Sequence, residues 1–221
     1  MLSLCVLILN GCGDAPTTNY GYVGGTPTID GYAYKTVKFG EQEWFAENLK
    51  TTVYRNGDAI PANLPKNQWR STNGGALAVY EGEVLYNWYA VNDARCLCPS
   101  GWHVATDRDW MMMEMALGMS EAEVNDTGMR GTDQGTKMKT ATGWENGDNG
   151  TNSSGFSGLP GGGRSHDGDF SLAGYSGYWW SSSPEGSFAW VRVLAFSEEL
   201  VYRNYTERRG GYSVRCVRDA E

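Results

Sequence analysis

The stretch LCPSGWHVAT, Leu97–Thr106, decides how the chain is read, because GGYSVRC at Gly210–Cys216 answers it near the other end. One cysteine stands at the start of the first stretch and another closes the second. Together they imply a single domain whose last strand is stapled back onto its middle. The expected bond is Cys98–Cys216. It closes a loop of 118 residues (216 − 98), worth about 4–5 kcal/mol in the chain-entropy picture.

Thr106 also opens the clearest helix. It is an N-cap with Asp109 three residues on, the spacing of a capping box. The helix continues as Asp107–Leu117, with Trp110, Met113 and Leu117 on one face. Gly118 ends it, and Ser120 caps a short second helix over Glu121–Val124. The methionines at 111–113 and Met115 read as adaptable packing.

Upstream, Tyr32–Phe39 alternates apolar and polar residues as one strand. Gln42–Leu49 returns beside it, and Val84–Val91 is a core segment. Downstream, Thr140–Gly163 is rich in Gly, Asn and Ser, with Trp144, Phe156 and Leu159 as anchors. So long an irregular stretch inside a domain is functional or irregularly packed. Three strands are expected to close the chain, Gly177–Ser182, Phe188–Phe196 and Gly211–Val217. The middle one is apolar on both faces, as in a central strand.

The formal net charge of −8 argues against a nucleic-acid surface, which needs a basic stripe. Arg203, Arg208, Arg209, Arg215 and Arg218 crowd the last strands. They read as strand-edge arginines that keep a sheet soluble; a site for anionic glycans is the sharper alternative.

Met1–Asn10 is a short apolar run, too short to cross a bilayer and similar to the core of a secretion signal. Leu9-Asn10-Gly11-Cys12 then resembles a bacterial lipobox. Residues 1–11 are therefore expected to be a signal peptide, with Cys12 as the lipidated residue. Each buried methylene of an acyl chain adds about 0.8 kcal/mol of anchoring. Residues 12–30 read as a flexible tether and 31–219 as the domain. The expected location is the cell envelope, lipid-anchored at the outer membrane. Of the five cysteines, Cys5 leaves with the signal and Cys12 takes the lipid. Cys96 is then a spare thiol, since bonding it to Cys98 across one residue is strained.

Six blocks carry a family resemblance. They are YKTVKFGEQEWFAENLKTT (Tyr34–Thr52), LYNWYAVNDAR (Leu85–Arg95), CPSGWHVATDRDW (Cys98–Trp110), TNSSGFSGLPGG (Thr151–Gly162), YWWSSS (Tyr178–Ser183) and GYSVRCVRD (Gly211–Asp219). In this order they resemble the Fibrobacter succinogenes major paralogous domain. The resemblance implies an α+β, C-type-lectin-like fold with short helices, a long irregular loop region and antiparallel strands. It also implies a secreted or lipid-anchored protein of the kind found in Bacteroidota and Fibrobacterota. The family usually has Gly at the position of Cys96, which favours Cys98 as the bonded partner. It offers no agreed catalytic residues.

The function expected is binding of an extracellular ligand, a carbohydrate or a surface protein, without enzymatic activity. Tyr175, Tyr178, Trp179, Trp180, Trp190 and Tyr202 are the ring candidates, with Arg203 beside them. Adjacent Trp179 and Trp180 face opposite ways in a strand, so at most one is expected at the surface. The alternatives are a structural or protein-binding surface component, or a relative of the lectin-like formylglycine-generating oxidases. Those enzymes need a reactive cysteine pair near the C-terminus, where this chain has only Cys216. His103 reads as a structural hydrogen-bonder, and His166 has no evident nucleophile near it. No cofactor is expected. The sugar-binding triplets of calcium lectins are missing, and Asp148-Asn149 does not match a calcium loop.

Overall fold

The computed structural model describes residues 26–220. The leader, Cys5, Cys12 and the tether up to residue 25 lie outside them. The remaining tether residues are ordered: β1 (Thr28–Ile29) pairs with β2 (Tyr32–Ala33). β3 (Thr36–Phe39) and β4 (Gln42–Phe45) form a hairpin, followed by α1 (Lys66–Trp69). β5 (Leu77–Tyr80) and β6 (Glu83–Asn87) form a second hairpin, which runs into α2 (Trp88–Val91). Next come β7 (His103–Val104), α3 (Asp107–Ala116), α4 (Glu121–Asn125), β8 (Gly128–Arg130) and α5 (Gln134–Met138). The chain closes with β9 (Gly161–Arg164), β10 (Phe170–Ala173), β11 (Ser176–Glu185), β12 (Phe188–Ala195), β13 (Val201–Glu207), β14 (Gly211–Tyr212) and β15 (Cys216–Asp219).

The strands form a nine-stranded sheet in the order β5-β6-β14-β9-β11-β12-β13-β8, with β10 on β9, and a four-stranded sheet, β3-β4-β15-β7. The fold is α+β. Its pairings are antiparallel except at Gly177↔Gly162, where β11 meets β9 in parallel, and at isolated bridges such as Trp179↔Ser213.

Neighbouring residues plug two separate cores. Trp180, Phe45 and Cys216 enter one cluster, with Trp102 and Tyr34. Trp179, Trp44 and Val217 enter the other, with Trp110, Met113 and Phe156. Successive strand residues point to opposite faces, so each Trp-Trp or Trp-Phe pair feeds both cores. Fully burying such a side chain contributes roughly 1.5–3 kcal/mol. The Cys98–Cys216 disulfide is present across a sequence separation of 118 and sits in the first core.

The helix caps follow the sequence closely. Thr106 Oγ1 accepts from the Asp109 N–H at 3.1 Å, and the Asp109 carboxylate accepts from the Thr106 N–H at 2.8 Å. Ser120 and Glu123 repeat the device on α4. His103 is tied to Asp109 at 2.9 Å.

Several expectations are corrected. Tyr32–Phe39 is two strands, because Tyr34 turns inward to stack on Phe45 at 4.6 Å. Gly211–Val217 is also two strands. The chain leaves the large sheet after Tyr212 and joins the small one at Cys216, passing the buried Arg215. Val201–Glu207 is a strand that the polar pattern concealed. In the loop region Trp144 and Phe156 are buried anchors, whereas Leu159 is 38% exposed. Cys96 is disulfide-bonded, not a spare thiol.

The arginines are corrected most. Arg215 is fully buried, and Arg203 is buried with Arg192 and Arg130. Arg192 donates to Asp107 and Glu114, each at 2.7 Å. Arg203 reaches both oxygens of Asp107, and Arg130 reaches Glu114 at 2.8 Å. Helix α3 supplies both carboxylates, and these partners make the burial tolerable.

Candidate functional site

A cleft of about 530 Å³ opens beside the tip of the β5–β6 hairpin, with Tyr80, Glu81, Glu83, Leu159, Gly161 and Gly174 among its walls. The turn that builds it is Glu81-Gly82, with φ of 47° and 85°. Two positive φ values in a two-residue hairpin make a type I′ turn, whose twist matches the strands. Tyr80 and Glu83 are thereby paired across the hairpin. The Tyr80 ring stacks on Phe170 of β10, with centroids 4.9 Å apart and planes at 27°. Phe170 is 40% exposed, and the Arg164 guanidinium lies 4.7 Å from its centroid.

Gly161 makes room for Glu83. A Cβ there would stand 2.9 Å from Glu83 Cγ. A smaller pocket of about 110 Å³ adjoins the cleft, shares Glu83 and Leu159, and is walled by Glu47, Asn48 and Lys50.

Behind Glu83 lies a buried polar network. Asn48 Oδ1 accepts from Trp179 Nε1 and from Arg215 Nε, both at 2.8 Å. Those donors fix the amide's orientation, so its Nδ2 faces outward and donates to Glu83 Oε2 at 2.6 Å. Arg215 spends its other donors on the carbonyls of Phe45, Phe156 and Ser157. Burial pushes its pKa down to about 9, against the opposing pull of Glu83 and Glu47. Glu47 is held below the usual carboxylate range: burial acts to raise it, but the Tyr32 hydroxyl, the Lys35 N–H and the nearby lysines outweigh that. Lys50 lies 3.7 Å from Glu47. Among the described residues Glu81 and Glu83 make no ion pair.

The ring residues expected from sequence are not brought together. Tyr175 is exposed, follows Gly174 of the cleft wall and packs edge-on against Phe196. Tyr178 is half-buried and stacks on Tyr212 at 5.0 Å. Trp179 and Trp180 are both fully buried, their indole N–H groups bound to Asn48 and to the Tyr86 carbonyl. Neither presents a face to a ligand. Trp190 is half-buried, with the Arg203 guanidinium 3.9 Å from its centroid. Tyr202 is half-buried, and its hydroxyl accepts from Asn204. Arg203 is committed to Asp107.

Tyr80, Glu83 and Phe170 were missed. The only local signal was the Glu81-Gly82 turn between two apolar runs. Among the described residues no three His, Cys, Asp or Glu side chains cluster as metal ligands, and no helix is long and apolar enough to cross a membrane.

An α+β domain with a disulfide-anchored last strand, two cores fed by paired aromatics and a cleft at a hairpin tip is the class these observations define. The Fibrobacter succinogenes major domain model matches residues 37–218, and the chain belongs to that family. Neither the curated proteins nor the solved structures offer a match.

Proposed function

We propose that this chain is a non-enzymatic binding module of the cell envelope, with a C-type-lectin-like fold and a lipid on Cys12 that holds it at the outer membrane, and that its cleft takes a carbohydrate. The observation that carries the reading is the stacked Tyr80–Phe170 pair beside a cleft lined by carboxylates. Aromatic faces suit the apolar faces of sugar rings, and a few placed polar groups set orientation. No cofactor is assigned.

The purified full chain on a glycan array, with calcium and then with chelator, tests this. Binding that survives the chelator and is lost in Tyr80→Ala and Phe170→Ala, both still folded, supports the reading. No binding to any glycan by the folded, disulfide-intact chain overturns it.

A second reading, a protein-binding surface component, rests on a different strip. Tyr205 is 45% exposed and packs against Phe188 at 5.7 Å and Trp190 at 5.4 Å. An apolar patch of this kind fits a protein partner. Loss of partner binding in Tyr205→Ala, with glycan binding absent, would favour it.

A further inference from the structure

Glu83 stands where the two pockets meet, and both include it in their walls. Its Oε2 is held by Asn48 at 2.6 Å. Asn48 is buried, and Arg215 and Trp179 on its far side lock its orientation. The carboxylate is therefore aimed by a polar network that solvent does not reach. Cationic groups balance it nearby. Arg215, which meets no carboxylate directly, lies one amide behind it, and Lys50 shares the smaller pocket with Glu47. Lys50 and the buried Arg215 offset Glu47 and Glu83 themselves, and Glu81 at the hairpin tip is left over. A carboxylate already balanced gains little from a further cation, whereas its open lone pairs accept hydrogen bonds from neutral donors.

We propose that Glu83 selects the ligand by accepting hydrogen bonds from the hydroxyls of a neutral glycan, and that Asn48 is the positioning residue that aims it. This inference rests on the carbohydrate reading of the cleft. It specifies that the ligand is uncharged and names the acceptor that recognises it.

The test uses the full chain against cellulose, xylan and mannan as neutral probes and chitosan as the amine-bearing probe, at low and high salt. The expected result is binding to at least one neutral polysaccharide, nearly independent of salt. Glu83→Gln should weaken it at least about tenfold, the loss that follows from removing a hydrogen bond to a charged acceptor. Asn48→Asp should weaken binding at neutral pH and recover it in acid, because two adjoining carboxylates then share a proton. A merely structural Asn48 would give no such recovery.

Neutral-glycan binding that needs Tyr80 but is unchanged in Glu83→Gln would overturn this inference and leave the carbohydrate reading standing. So would a preference for chitosan that salt abolishes. Binding to no polysaccharide overturns both.

Discussion

Arg192 and Glu114 meet in a fully buried ion pair, Nε to Oε1 at 2.7 Å, with neither side chain exposed. Arg192 also holds Asp107 at 2.7 Å, so β12 is tied to α3 at two points a helix-turn or more apart. Breaking a buried pair leaves a charge without its partner, at a cost of about 3–5 kcal/mol. Arg192→Met is therefore expected to lower the unfolding free energy, read from a urea titration, by that much. A loss under about 1 kcal/mol would mean that the cluster adds nothing beyond packing.

Asp107 gives this cluster a pH dependence. Burial acts to raise its pKa, but Arg203 and Arg192 outweigh burial and hold it below the usual range. The folded state then binds fewer protons than the unfolded one. Its stability contribution is complete above the unfolded pKa of about 3.9 and fades as pH falls through the lower folded value. Asp107→Asn should be less stable at pH 7 and lose less on acidification. Urea titrations across that window check this; parallel curves for the two proteins would contradict it.

The Cys98–Cys216 bridge closes a separation of 118 residues. The double substitution Cys98→Ala with Cys216→Ala should cost up to about 5 kcal/mol in the chain-entropy picture. Thermal melts with and without reductant would show the wild type falling towards the variant. A reductant-insensitive melt with both cysteines proven reduced would contradict the assignment.

Gly161→Ala displaces Glu83. The nearest atoms to its new Cβ would be those of the Glu83 side chain, with Cγ at 2.9 Å. As Glu83 leaves the position set by Asn48, stability should fall by about 1.5–3 kcal/mol, the worth of a hydrogen bond to a charged group, and glycan affinity should fall with it. Unchanged affinity would show that the Glu83 position does not matter to binding.

Gly177→Ala should lower stability through contacts that do not include Glu83. A Cβ there would lie 2.4 Å from the Leu159 carbonyl oxygen and 2.3 Å from the Trp179 ring. Overpacking of this kind costs about 1–3 kcal/mol, read as a lowered melting temperature. A melt like the wild type's would mean that this strand has room to shift.

Short-range features could be read from the chain itself. The capping boxes at Thr106–Asp109 and Ser120–Glu123 depend on groups three residues apart, so sequence spacing alone specifies them. The central β12 strand was legible from its apolar run. The family blocks were legible as well, although the reason for their residues was not. Arg215, Asn48, Trp179 and Phe156 come from four different blocks and meet around one guanidinium. That meeting has no signature in local periodicity.

The order of the blocks, the capped helices, the central strand and the expected Cys98–Cys216 pairing were determined by the sequence itself. They rest on patterns a few residues long, or on a resemblance that spans the chain. Tertiary structure decided which arginines are buried, because an Arg in a strand reads as solvated until α3 brings Asp107 and Glu114 to it. It also decided that Trp179 and Trp180 serve two cores, since alternation says only that they point apart. The cleft was decided there too. Tyr80, Glu83 and Phe170 come together only when the β5–β6 and β9–β10 hairpins meet, and a contact across some ninety positions depends on packing that no local propensity encodes.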